Sequence, residues 1–109
     1  MTVQEINTAL ADVGIPYAYY QFNEAAAKEP PFLCWYFGDS NDLYADNENY
    51  QGVSALTVEL YTDYKDFALE QALEAVLKGM GLSWAKSETY IDSEKMHETV
   101  YETEVLLNA

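Results

Sequence analysis

The chain has 109 residues, half of them apolar, with 15% aromatics and ten tyrosines, so it can bury a core as one domain and global disorder is excluded. Nineteen acids against five lysines give a net charge of −14. That field repels phosphates and anionic lipid, which excludes ordinary backbone-contacting nucleic-acid binding. The acids are interspersed and not gathered in a tail, as in Glu59, Glu70, Glu74, Glu88, Glu98, Glu102 and Glu104.

Thr2 followed by Glu5 reads as a capping box that opens a helix over about 2–13, with Val3, Ile6, Leu10 and Val13 on one face. Gly14 suits a left-handed stop and Pro16 forbids continuation. Tyr17 to Phe22 is a strand candidate. Asn23 to Pro31 is a connection closed by two prolines, and Phe32 to Phe37 is a continuous apolar strand. Cys34 lies alone within that run, which rules out a disulfide inside the chain and predicts a buried thiol.

Residues 38–51, GDSNDLYADNENYQ, are rich in Asp and Asn and predict a long loop. Its acids resemble calcium ligands, but the EF-hand spacing fails. Counted from Asp39, positions five, six and twelve hold Leu43, Tyr44 and Tyr50 in place of an acid or amide, Gly and Glu.

In LTVELYTDYKDFALEQALEAVLK, from Leu56 to Lys78, a period of two gives way to a helical period. Leu56, Val58 and Leu60 alternate with Thr57, Glu59 and Tyr61 in a strand over about 53–61. Asp63 is the expected cap of a helix over about 64–79, whose apolar stripe runs through Leu69, Ala72, Leu73, Val76, Leu77 and Met80. Two strands follow, at about 83–92 and 97–107. In the last, Tyr101, Thr103, Val105 and Leu107 share one face, and Glu102 and Glu104 take the other.

The order α-β-β-β-α-β-β predicts an α+β fold: a mainly antiparallel sheet of four to five strands with two helices on one face, as a single domain over 1–109. Glu59, Glu102 and Glu104 would then form an acidic sheet face away from the helices.

No catalytic constellation emerges, so the chain reads as a non-enzyme without cofactor or metal. His97 is the only histidine and has no zinc-ligand companions. Glu102 and Glu104 stand about 7 Å apart along one strand face, a spacing glycosidases use, but alternating glutamates on an exposed strand are the commoner pattern. No apolar run approaches the roughly 20 residues that span a bilayer, and no signal peptide is apparent, so a soluble protein is expected.

Read together, IPYAYYQF, PPFLCWYF, ADNENY, VELYTDYKD, SETYIDSEK and YETEVLL, in order from about Ile15 to Leu107, resemble small structural proteins of siphovirus-like phages and prophages of Gram-positive hosts. These are the tail completion, tail terminator or head-tail joining proteins. The resemblance implies a subunit that forms a ring with copies of itself, commonly a hexamer, at the head-proximal end of the tail. Its partners would be the tail tube protein and head-tail connector proteins, and the genome would pass through the lumen without specific binding. Assembly would take place in the host cytoplasm, with the virion as destination. On this reading Asp39, Asp42, Tyr44, Asp46, Asn47 and Tyr50 of the loop are candidate interface residues, and Glu59, Glu102 and Glu104 a candidate lumen face. The charge also admits an acidic protein-binding module, such as a DNA-mimicking inhibitor that fills a basic groove.

Overall fold

A computed structural model describes residues 1–20, 29–40 and 52–107. The elements run α1 (Val3–Ala11), β1 (Tyr17–Tyr19), β2 (Phe32–Ser40), β3 (Gly52–Thr62), α2 (Phe67–Gly79), β4 (Ala85–Ile91) and β5 (Met96–Leu107). The expected α+β class and element order hold. The strands form one sheet in the order β1-β2-β3-β5-β4. All neighbouring strands are antiparallel except β1 and β2, which pair in parallel.

Local chemistry accounts for the element ends. Thr2 Oγ1 accepts from Glu5 N–H at 3.1 Å while Glu5 Oε1 accepts from Thr2 N–H at 2.8 Å, so the predicted capping box closes. Gly14, at φ +88°, takes the left-handed turn after α1 without the clash a Cβ brings. The second helix starts later than expected. Strand β3 runs on to Thr62, whose hydroxyl donates to Tyr64 O at 2.6 Å, and Asp66, not Asp63, is the cap, accepting from Leu69 N–H at 3.1 Å. Strand β2 likewise outlasts Phe37, because a bulge between Phe37 and Ser40 lets Ser40 pair with Ser54. Strand β1 is shorter than the predicted Tyr17–Phe22: Tyr20 turns to φ +71°, and Gln21 and Phe22 lie outside the described residues.

The register sorts the two sheet faces. Leu33, Trp35, Leu56, Val58, Leu60, Tyr101 and Val105 point to one side and join Ile6 and Leu10 of α1 and Leu73 and Leu77 of α2 in a single buried cluster. Both helices therefore cover the same face, as expected from the alternation in β3 and β5. Among the described residues no helix is long and apolar enough to cross a membrane.

Candidate functional site

The face away from the helices carries the acids that alternation assigned to it. Thr57 is paired with Glu102, Ala55 with Glu104 and Glu59 with Val100, so Glu59, Glu102 and Glu104 share that face. The carboxylate nearest Glu59, however, is that of Glu98. Tyr61 OH lies 2.9 Å from Glu59 Oε1 and 3.1 Å from Glu98 Oε2, and Tyr36 OH donates to Glu59 Oε2 at 3.1 Å. The Tyr61 ring is held by stacking on Phe32, centroids 4.8 Å apart. The Tyr61 phenol hydrogen is shared between the two carboxylates, Tyr36 serves Glu59 alone, and no lysine reaches them among the described residues.

Burial, with the Glu59 carboxylate beside it, pushes the Glu98 carboxyl above its ordinary range. The folded state thus holds the Glu98 proton more tightly than the unfolded chain does. The resulting penalty is absent below pH about 4.5 and grows as pH rises through the folded value. Glu98→Gln is therefore expected to stabilise the protein at pH 7, by less than about 1 kcal/mol because the site is partly solvated. At pH 4 the gain should vanish. Urea unfolding at the two pH values checks this, and a destabilised variant at pH 7 would contradict it.

The helix side is the reverse case. Glu70 lies on the apolar stripe of α2, only 2% exposed. Lys65 and Lys86 each bring Nζ to Glu70 Oε1, at 2.9 and 2.8 Å. Lys65 also reaches Glu88 Oε1 at 2.6 Å, and Lys86 reaches Glu74 Oε2 at 2.8 Å, where Tyr101 OH donates as well. His97 Nε2 lies 3.0 Å from Glu88 Oε1. Burial alone would raise the Glu70 carboxyl; its lysine bonds outweigh that and hold it below the ordinary range. Bonds from Lys86 and from Lys65 lower Glu74 and Glu88 in the same way. These ties pin α2 to β4 and β5.

Glu70, Glu88 and His97 bring three potential ligand atoms within 4.8 Å of one another. The Lys65 ammonium already bonds both carboxylates, so the cluster is a neutralised charge network and not a vacant metal centre. Cys34 is buried on β2, as predicted. His97 bonds a carboxylate, and no nucleophile is paired with it among the described residues.

Of the predicted interface residues, Asp42, Tyr44, Asp46, Asn47 and Tyr50 lie outside the described residues. Asp39 falls within β2, not in the loop where its composition put it. Glu70 and Glu98 were missed as site residues. A signal existed for Glu70, which precedes Leu73 by three and Leu77 by seven and so sits on the helix stripe; Glu98 shares the parity of Glu102 and Glu104.

Beside the acidic face, Glu102 and Glu104 line an open groove of about 470 Å³ with Ser83, Trp84 and Thr103. Its floor is tied by a hydrogen bond from Thr103 Oγ1 to Ser83 O. Comparison with protein-family models, with curated proteins and with solved structures finds no match.

Proposed function

We propose that this chain is a structural subunit of a phage or prophage tail, a terminator, completion or head-tail joining protein that caps the tail tube and supports head attachment. The observation that carries the reading is the division of charge between the two faces. On the helix side the buried and half-buried acids are matched by Lys65 and Lys86. On the opposite face the described strands place Glu59, Glu98, Glu102 and Glu104 and no lysine. An unmatched acidic sheet face suits a surface beside passing DNA, since it repels phosphate and does not hold it. The absence of a nucleophile–base pair or vacant ligand set among the described residues fits a subunit that works by shape and contact. The ordered resemblance from Ile15 to Leu107 supplies the assembly context.

The test is an amber mutation in the encoding gene, followed by electron microscopy of the lysate. The expected result is filled heads and separate tail tubes of uncontrolled length, with joined particles restored by complementation. Joined virions of normal tail length without the protein would reject the assignment.

A further inference from the structure

The groove lined by Glu102 and Glu104 coincides with a break in the sheet. On β2, Leu33 N–H donates to Pro16 O at 2.9 Å and Tyr20 N–H donates to Trp35 O at 2.7 Å, so odd-numbered residues of β2 turn their main-chain groups toward β1. Even-numbered residues then face β3. Carried across the antiparallel pairs Cys34–Glu59 and Leu60–Thr99, the alternation bonds Thr99, Tyr101, Thr103 and Val105 to β3. Glu98, Val100, Glu102, Glu104 and Leu106 turn theirs the other way, toward β4. Strand β4 stops at Ala85, opposite Glu102. Beyond it, Leu106 O accepts from the Met1 ammonium at 3.2 Å, which agrees with the assigned direction. The N–H and C=O of Glu104 meet no strand.

The Glu104 backbone therefore opens into a groove that its own carboxylate and that of Glu102 make acidic and that Trp84 walls with an indole. Trp84 is held edge-on to Tyr101, centroids 6.2 Å apart. We propose that this groove docks an extended, lysine- or arginine-bearing segment of a different protein, which continues the line of β4. The segment's main chain pairs with Glu104, its cationic side chains meet Glu102 and Glu104, and an aliphatic stem lies on Trp84. Charge complementarity selects the occupant: the chain is at −14, and both side chains that project from the groove's β5 wall as charges are carboxylates. A second copy is poorly suited, because it carries the same net charge of −14. This site stands independently of the tail assignment, since it rests on the sheet edge and the groove alone.

The experiment titrates the peptide acetyl-Lys-Val-Lys-Val-Lys-amide into the uniformly ¹⁵N-labelled full chain at low salt and follows amide and indole resonances. Glu104, Leu106 and the Trp84 indole are expected to shift, with affinity about tenfold weaker for Glu102→Gln/Glu104→Gln, the removal of two charge contacts. A peptide of the same charge, N-methylated at alternate residues to block pairing, should also lose binding. The Gln variants retain shape and hydrogen-bonding capacity, and circular dichroism confirms that they fold. Equal affinity for the double variant, or shifts spread over Glu59 and the rest of the acidic face, would overturn the proposal as unspecific attraction. Shifts of Glu104 that depend on protein concentration without peptide would assign the groove to a second copy. Neither result bears on the amber-mutant phenotype, so the two readings fail separately.

Discussion

Trp35→Ala is expected to cost about 3–5 kcal/mol of stability, a large share of the roughly 5–15 kcal/mol available to a domain. Trp35 is 1% exposed and sits where β1, β2 and α1 converge. Its ring meets Tyr19 edge-on at 4.9 Å and Phe37 at 5.8 Å. Truncation removes the transfer energy of an indole and leaves a cavity that these rings, anchored on paired strands, cannot close. The indole Nε1 has no acceptor among the described residues, a desolvation penalty of about 1–3 kcal/mol already present in the folded state. Trp35→Phe discards that orphan donor with only part of the volume and should cost distinctly less. Urea unfolding of the three proteins makes the comparison. Equal losses for Phe and Ala would mean that the N–H contributes a bond of its own.

Replacing both Lys65 and Lys86 by methionine is expected to cost about 3 kcal/mol, whereas either replacement alone should cost less than about 1 kcal/mol. The non-additivity follows from geometry. Each lysine bonds the same Glu70 oxygen, so one can vouch for the buried carboxylate when the other is gone. With both removed, Glu70 keeps, among the side chains of the described residues, only the Thr99 hydroxyl at 3.5 Å. The pH dependence should then reverse. In the natural chain the Glu70, Glu74 and Glu88 carboxyls are lowered, so their stabilisation is present above pH about 4.5 and is lost as pH falls through the folded values. In the double variant burial raises Glu70 without compensation, and stability should climb as pH falls from 7 toward 5. Unfolding midpoints across that interval measure it. A double variant whose stability is flat over the same range would show that water or a rearranged side chain has replaced the lysines.

Local chemistry made much of the fold legible. The capping box, the left-handed Gly14 and the alternation of Leu56, Val58 and Leu60 each depend on residues a few positions apart, and each appears where expected. The late start of α2 was not legible, because Asp63 and Asp66 are equivalent caps until the length of β3 is known. Nor was the parallel pairing of β1, since strand direction is decided by distant partners and leaves no mark in three residues. The acidic face could be read from parity along β5, and its membership of Glu59 followed once the register was in place. The burial of Glu70 ran against its charge. It became tolerable only because β4 brings Lys86 and the β3–α2 connection brings Lys65 to the same oxygen.

The long pairing of β3 with β5 joins Gly52 to Leu107 and Thr62 to His97, so β5, which joins β3 to β4 in the sheet, is synthesised after the other described elements. Until Met96 and its successors leave the ribosome, β3 has one whole side without a hydrogen-bonding neighbour, and α2 has only part of the surface it will rest on. Such contacts across long stretches of chain form slowly, and an apolar strand waiting for them is open to pairing with another nascent copy. Glu59, Glu70, Glu74 and Glu88 are made before β5, and the like charge they give to half-made chains opposes such pairing while the last strand arrives.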